Sequence, residues 1–235
     1  MALCRKVLWD NPYLGRLNLK IIQLNEDEVL FVQSIAFSFS GGQESDSATF
    51  NGIQIVSSRI DGLNIRYMFA PNHGFVIGDC GVMEIDWHRR NRLMRYHMLC
   101  ELVLAITNKY FGKVERELRP EDIDNVGIVK VMAKMSDQGA YVDFDHDDLR
   151  PHIPAIQSEL NKIIAADLPI EKGYIDEEIQ ERFWRIEGLA IIPCGGTHVR
   201  STRELGSATL TRARTTNKNT RSKKAKRVKI IIESD

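Results

Sequence analysis

The sequence lacks any apolar run near the roughly 18 residues that a membrane-spanning helix requires. Its first residues, MALCRKVLWDNPY, also lack the uninterrupted apolar core of a secretion signal. These absences predict a cytoplasmic protein without a membrane partner. Four cysteines in 235 residues do not suggest a disulfide framework, which favours buried thiols or metal ligands. Internal repeats and the HExxH metalloprotease motif are absent too, and the composition that remains is typical of a globular protein.

The formal net charge is zero, but the basic residues are concentrated near the C-terminal end. Residues 207–235 hold nine Lys or Arg and two acidic residues, so the remainder carries a net charge of −7. The nine are Arg212, Arg214, Lys218, Arg221, Lys223, Lys224, Lys226, Arg227 and Lys229. A basic segment on an acidic protein predicts either a polyanionic partner or a solvated hairpin with basic side chains.

The first 85 residues have the pattern of short strands separated by turns. Polar residues at 25–28 separate two apolar strands, and Asn51-Gly52 and Asp61-Gly62 are dipeptides that favour hairpins. Regular short spacing of this kind predicts a small β-barrel or sandwich. We therefore assign residues 1–85 to an N-terminal β-barrel domain with a glycine-containing loop at SFSGGQESDS.

Residues 86–235 show helical and strand patterns in mixed order, which indicates an α+β domain. A helical period follows Asp86 and ends at Gly112. The other expected elements are strands around a turn at 137–139, a helix within 149–170, a helix over 176–186, a strand at 189–193 and paired C-terminal strands. The predicted fold class is therefore α+β, a small β-barrel followed by a two-layer α+β domain with a basic C-terminal hairpin.

PCGGTHV, residues 193–199, places a thiol and an imidazole four residues apart at Cys194 and His198. Both can reach one metal ion, and the glycines between them let the backbone fold tightly around it. On the first helix, His97 and Glu101 are also four residues apart, so they share a face. Together the four donors suit tetrahedral zinc best. Taken alone, each pair favours an interpretation without a metal: a chance CxxxH spacing for Cys194 and His198, and a surface His97 with Glu101 paired to Arg95 or another base.

The segments GGQESD, DWHRRNRLMRYHMLCEL and CGGTHV stand in the same order and at roughly the same separation as in the AlaX family. The chain resembles this family over most of its length, the N-terminal barrel included. AlaX proteins are free-standing relatives of the editing domain of alanyl-tRNA synthetase and share a core with that of threonyl-tRNA synthetase. The resemblance implies an ATP-independent hydrolase that cleaves the ester joining an amino acid to tRNA.

The resemblance also implies one Zn²⁺ per chain, bound by HxxxH on the helix and CxxxH on the loop. His97, Cys194 and His198 match this pattern, whereas Glu101 stands where the family has histidine. A carboxylate can ligate zinc, but its negative charge makes the metal a weaker Lewis acid. Two alternatives remain open: Cys100 enters the ligand shell instead, or the metal site is degraded.

The glycine-containing loop departs from the family at one position. The family reads GGGQ, and here Gly41, Gly42 and Gln43 match while the first glycine is Ser40. The resemblance implies that the two glycines let the backbone approach the aminoacyl ester and that Gln43 orients a carbonyl or a water. An ordinary hairpin turn is the alternative for this loop.

Five further residues are candidates for catalytic or substrate-binding roles. Asp46 matches the family's aspartate after the glycines, and Ser34 falls where many relatives carry a threonine facing the amino-acid pocket. We therefore treat both, with Gln43, as candidate catalytic residues. Thr197 is a candidate substrate contact, and Arg212 and Lys223 are candidate contacts to tRNA phosphates. Arg89, Arg90, Arg92 and Arg95 on the first helix are candidates to extend that surface, although some of them must face solvent without a partner.

The implied substrate is alanine tRNA mischarged with serine or glycine, and tRNA is therefore the expected partner. Glu101 and Ser40 suggest a second hypothesis, a hydrolase of the same fold retargeted to another aminoacyl ester or amide. A third hypothesis is a catalytically silent tRNA-binding module. The oligomeric state does not follow from the sequence.

Overall fold

The structure is a computed structural model that describes residues 4–111, 130–145, 149–213 and 225–233. It contains two compact units, Met1–Leu93 and Met94–Asp235, and the boundary between them falls within one helix. Strands and helices are mixed along the chain, which confirms the α+β class. The predicted domain boundary after residue 85 stays a prediction. Of the helices within the described residues, none combines the length with the apolar character that a bilayer span needs.

The N-terminal unit is built on a seven-stranded antiparallel sheet with the order β6-β5-β9-β2-β3-β8-β7. A short parallel pair, β1 with β4, and one helical turn, α1 (Val7–Asp10), accompany it. The strands are β1 (Arg5–Lys6), β2 (Arg16–Asn25), β3 (Glu28–Phe31), β4 (Gln33–Ser34), β5 (Ala48–Phe50), β6 (Ile53–Gln54), β7 (Ser57–Asp61), β8 (Asn64–Met68) and β9 (Cys80–Ile85).

Local turn chemistry sets the register of this sheet. Asn51 and Gly52 have φ of 50° and 79°, the positive values that a tight two-residue hairpin requires, and they join β5 to β6.

Apolar side chains such as Phe31 and Phe50, with ring centroids 4.7 Å apart, form the core of this unit. The pairings among the described residues leave β6 and β7 at the two ends of the sheet, so closure into a barrel stays a prediction.

Within its described residues, the C-terminal unit contains most of one long helix, a second α-helix and two smaller antiparallel sheets. One sheet has the order β10-β11-β16-β15 and the other β12-β13-β14. The helices are α2 (Trp87–Phe111), which begins in the N-terminal unit, and α3 (Ile153–Ala165). The strands are β10 (Lys130–Ser136), β11 (Gly139–Asp145), β12 (Glu171–Asp176), β13 (Glu181–Ile186), β14 (Ala190–Pro193), β15 (Ala208–Ala213) and β16 (Ala225–Ile232). The predicted C-terminal strand pair is confirmed.

The helix predicted over 176–186 is wrong, because this stretch forms a turn and the strand β13. Along β13 the side chains alternate, with Arg182, Trp184 and Ile186 buried and Glu181 and Arg185 exposed. Glutamate and glutamine favour a helix locally. Burial of the indole of Trp184 against neighbouring strands requires a period of two instead.

Candidate metal centre

Three side chains of the C-terminal unit come together to form a compact group of metal-binding atoms. His97, Cys194 and His198 each offer one ligand atom, and these atoms lie within 4.8 Å of one another. Nε2 of His97 is 3.1 Å from Sγ of Cys194, and the two imidazole rings are 4.9 Å apart between centroids. Both histidines are almost fully buried. The structure therefore contains a His-Cys-His group that can hold a metal ion.

The loop after β14 presents the thiol to the helix. The backbone amide of Cys194 donates to the carbonyl of Arg182 on β13 at 2.7 Å, which fixes the start of the loop. A Cβ on Gly196 would overlap the imidazole ring of His97, whereas a Cβ on Gly195 would meet nothing within 4 Å. Gly196 is therefore the glycine that permits the loop to approach the helix so closely.

His198 has the properties of a neutral metal ligand. Its Nε2 atom is buried and has no hydrogen-bond partner within the described part of the chain. Burial lowers the pKa of His198 well below its usual value, and the positive charges of His97, Lys172 and Arg182 lower it further. Because metals bind neutral imidazole, a buried and unprotonated nitrogen suits a ligand position.

His97 lies in a local field that favours a cation. Burial lowers its pKa, but the charge and hydrogen bond of Cys194, together with Glu101, outweigh burial and raise the pKa to about 10. The same acidic groups that attract a proton to this position attract a metal ion. The donor set of one thiolate and two imidazoles is the combination that zinc prefers.

Glu101 is beside this group rather than within it. Its carboxylate is buried, and Oε1 is 3.7 Å from Nε2 of His97. The compact group of ligand atoms among the described residues does not include it. Cys100 and Thr197 are buried as well. The roles of Glu101 or Cys100 as fourth ligand and of Thr197 as substrate contact stay predictions.

The glycine-containing loop of the N-terminal unit forms a two-residue hairpin turn. Ser40 and Gln43 pair through backbone hydrogen bonds of 3.3 and 3.0 Å. Gly41 and Gly42 between them have φ of 58° and 90°, values that glycine adopts without strain. Ser40 is not among the residues with positive φ. Serine therefore fits its position in the turn without conformational cost, and Gln43 is fully buried.

Asp46 anchors this loop through a buried ion pair. Each of its carboxylate oxygens is 3.0 Å from Nε of Arg90, and one accepts from the amide of Phe37 at 2.6 Å. Arg90 also donates to the carbonyls of Pro12 and Ile35 at 2.9 and 2.6 Å. The expectation that Arg90 extends a surface is wrong, because its side chain is fully buried. A catalytic role for Asp46 stays a prediction beside this structural one.

The Ser34 hydroxyl is engaged inside the N-terminal unit. It is fully buried, hydrogen-bonds the Tyr67 hydroxyl and has its oxygen 3.1 Å from the carbonyl oxygen of Ala36. Burial holds the pKa of Tyr67 well above its usual value, so its hydroxyl stays protonated and donates to the same carbonyl at 2.6 Å. The assignment of Ser34 to an amino-acid pocket stays a prediction.

The basic C-terminal segment is described only in part. Arg212 is half-buried on β15, whereas Lys223 lies outside the described residues. Arg227 forms a buried, two-pronged ion pair with Asp143 at 2.8 and 2.9 Å. Because its guanidinium is committed to the sheet, Arg227 is an internal side chain rather than part of a phosphate-binding surface.

Comparison with known proteins finds similarity to alanyl-tRNA editing proteins and to alanine–tRNA ligases. A family model described as the threonyl and alanyl tRNA synthetase second additional domain matches residues 182–229. The alanyl-tRNA editing protein AlaX-M of Pyrococcus horikoshii is 26% identical over 211 residues, which cover 86% of this chain and 88% of that protein. The alanyl-tRNA editing protein AlaX-L of the same organism is 27% identical over 228 residues. These similarities confirm the predicted resemblance to the AlaX family.

Other relatives are longer than this chain. Alanine–tRNA ligase of Staphylothermus marinus is 25% identical over 232 residues, and the match covers 89% of this chain but 24% of the ligase. The match to AlaX-L covers 52% of that protein. This chain therefore spans about half of AlaX-L and about a quarter of the ligase.

The sequence analysis did not identify two basic residues beside the metal-ligand loop, Lys172 and Arg182. Lys172 Nζ is 3.5 Å from the carbonyl oxygen of His198. Burial lowers the pKa of Lys172, and the charges of Arg182 and Arg200 lower it further. The available signal was the alternation of charged and aromatic residues in ERFWRI, which is typical of a strand.

Proposed function

We propose that this protein is a zinc-dependent hydrolase of the AlaX type that deacylates mischarged tRNA in trans, with seryl- or glycyl-tRNA for alanine as its substrates. The observation that carries the proposal is the buried group of His97, Cys194 and His198. The similarity to an alanyl-tRNA editing protein over 88% of that protein's length supports the substrate class.

His97, Cys194 and His198 would hold one zinc ion per chain, with Glu101, Cys100 or a water in the fourth position. When bound, zinc supplies Lewis-acid chemistry, either by polarising an ester carbonyl or by activating a water. The buried Nε2 of His198 and the cation-favouring field at His97 support this fit.

The other candidate residues bind and orient the substrate. Gly41 and Gly42 leave the backbone of the turn open to close approach, and the amide of Gln43 can orient a carbonyl or a water. The ion pair of Asp46 with Arg90 keeps this turn in place. A site that hydrogen-bonds the serine hydroxyl, as proposed for Ser34, discriminates more strongly than an apolar pocket can.

Two other functions have a specific observation in their favour. Glu101 replaces the family's histidine and lies outside the compact ligand group. If the Glu101 carboxylate ligates the metal, the metal is a weaker Lewis acid, which would fit a hydrolase retargeted to another aminoacyl ester or amide. Loss of the metal would fit a silent tRNA-binding module.

A panel of charged tRNAs tests the proposal. Purified protein with measured zinc content is mixed with seryl-, glycyl- and alanyl-tRNA for alanine, and with correctly charged tRNAs as controls. We expect kcat/KM for the seryl and glycyl esters to exceed that for the alanyl ester by about tenfold or more. Faster hydrolysis of a different ester would favour retargeting. Binding of tRNA with no hydrolysis would favour the silent module.

Thiol reactivity gives an independent check on the metal site. Cys80 is exposed, whereas Cys4 and Cys100 are buried, and burial raises the pKa of the Cys4 thiol to about 11. Because the thiolate is the reactive form, we expect one fast thiol in a dithionitrobenzoate assay, which Cys80→Ser removes. A chelator should expose a second thiol, that of Cys194, while Cys4 and Cys100 react only in denaturant. A second fast thiol before the chelator is added would contradict protection by a metal.

A further inference from the structure

The four-stranded sheet of the C-terminal unit has one buried face and one face that is open to solvent. On β16, Val228 and Ile230 are buried, whereas Lys229 between them is exposed. The other strands follow the same pattern, with Ala140 buried on β11 and Thr211 exposed on β15. Such alternation is typical of an antiparallel sheet that packs on a core by one side only. The polar residues therefore line the other side.

One row of residues crosses this open face from edge to edge. Lys134 on β10 lies opposite Tyr141 on β11. Lys229 on β16 lies between Tyr141 and Thr211 of β15. Adjacent strands are about 4.8 Å apart, so these four residues, the Lys229 row, extend over about 14 Å. Because Lys134, Thr211 and Lys229 are exposed, the row presents two ammonium groups and an alcohol beside an aromatic ring.

The neighbouring row on the same face holds the Tyr141 ring in place. The guanidinium carbon of Arg227 lies 3.5 Å from the centroid of that ring. Asp143 in turn fixes the guanidinium by accepting hydrogen bonds of 2.8 and 2.9 Å. A ring already held by a cation loses little conformational freedom when a ligand packs on it. Because Arg227 and Asp143 neutralise each other, their row adds no net negative charge beside Lys229.

The sequence of β15, β16 and the segment between them is strongly basic. Residues 205–232 contain the nine Lys or Arg of the C-terminal segment and no Asp or Glu. Five of the nine lie within 214–224, which joins the two strands and lies outside the described residues. β15 ends at Ala213, two residues beyond Thr211, so this segment leaves the sheet within about 7 Å of the Lys229 row. The charge at this face is therefore complementary to a polyanion.

The shape of the face favours one kind of polyanion, an RNA duplex. An A-form duplex has a deep, narrow major groove that side chains do not read and a wide, shallow minor groove lined by 2′-hydroxyls. A broad sheet face fits a shallow groove, and lysine and hydroxyl side chains match phosphates and sugar hydroxyls. The face therefore suits the backbone of a duplex better than the bases of a single strand.

We propose that the Lys229 row docks the acceptor-stem duplex of tRNA across its minor groove. The duplex follows from charge and shape, and its assignment to tRNA rests on the proposed function. Lys134 and Lys229 bind phosphate oxygens through charge-assisted hydrogen bonds. Thr211 hydrogen-bonds a ribose 2′-hydroxyl, and the Tyr141 ring packs against a sugar. These contacts set the register without reading base sequence, so all four are positioning residues.

The test measures RNA binding, which does not require hydrolysis. A dye-labelled, uncharged acceptor-stem hairpin is titrated with protein at several salt concentrations. We expect Lys229→Gln to weaken binding about fivefold and to reduce the salt dependence by about one phosphate contact. Lys229→Arg should restore both values. Lys162→Gln, which changes an exposed lysine of α3, should match wild type.

Thr211→Ala tests the contact with the sugar. Loss of this neutral hydroxyl should weaken binding of the RNA hairpin about threefold and leave the salt dependence unchanged. Binding of a DNA hairpin of the same sequence should be unaffected, because DNA lacks the 2′-hydroxyl. Equal losses on RNA and DNA would overturn this contact.

A single-stranded RNA with the sequence of the hairpin's 3′ strand locates the charged contacts, since wild type and Lys229→Gln should bind it equally. A deficit of the same size on this strand would overturn the duplex as the ligand. Equal binding of the hairpin by wild type, Lys229→Gln and Lys134→Gln would overturn the docking face, and Lys134→Gln decides if Lys229→Gln does not fold. Hydrolysis of seryl-tRNA beside that result would leave the proposed function standing without the face. Binding deficits in a protein that deacylates no tRNA would do the reverse.

Discussion

Replacing Cys194 by alanine is expected to remove the zinc and to reduce deacylation of seryl-tRNA by more than about 100-fold. Losing a residue that only hydrogen-bonds a metal ligand costs up to about 100-fold, and losing a ligand itself should cost more. The thiolate is the charged donor of a group whose ligand atoms lie within 4.8 Å of one another. Without it two neutral imidazoles remain, and their affinity for zinc is far lower. Elemental analysis of the purified variant, followed by the rate of ester hydrolysis, measures both effects.

Glu101→Ala, analysed beside Cys194→Ala, resolves the fourth ligand. Loss of zinc in both variants would establish Glu101 as a ligand, whereas zinc retained in Glu101→Ala would point to Cys100 or a water. Cys80→Ala is the matched control, because it removes a thiol that is exposed in the N-terminal unit. Full zinc content in Cys194→Ala would contradict the proposed centre.

The spacings within each half of the metal-ligand group are local, but the prediction that the two halves meet came from the resemblance to the AlaX family. His97 and Glu101 lie one helical turn apart, and Cys194 and His198 lie on one short loop. What spacing could not provide is the position of Glu101, whose carboxylate is near His97 but outside the compact group. That position depends on tertiary packing around the helix.

The hairpin at Asn51-Gly52 was predictable because these two residues readily adopt the positive φ values that the turn requires. The stretch 176–186 was not, because its local preference for a helix is overridden by burial of Trp184. Arg90 shows the same limit. A basic residue on a helix is expected at the surface, and only its partner Asp46, 44 residues earlier, explains its burial.

The departure at Ser40 becomes interpretable only with backbone angles. Positive φ occurs at Gly41 and Gly42, so these two positions require glycine while the residue before them does not. Ser40 therefore gives no reason to infer a damaged turn. The departure at Glu101, which changes a charge beside the ligand group, is the one with chemical consequences.

Arg90→Ala is expected to lower the free energy of unfolding by about 3–5 kcal/mol, because it leaves the carboxylate of Asp46 buried without its counter-charge. Both side chains of this pair are fully buried, and the guanidinium also satisfies two backbone carbonyls. Urea unfolding followed by circular dichroism measures the change. Arg16→Ala is the control: Arg16 pairs with Glu84 at 3.2 Å on the surface, so its loss should cost at most about 1 kcal/mol.

A double variant separates the effect of the unpaired charge on stability from the effect of lost packing. Arg90→Met combined with Asp46→Leu removes both charges while keeping apolar volume, and should recover a large part of the stability lost in Arg90→Ala. Recovery of stability without recovery of deacylation would show that Asp46 also serves the reaction. Equal losses in Arg90→Ala and Arg16→Ala would contradict the buried ion pair as the anchor of the glycine turn.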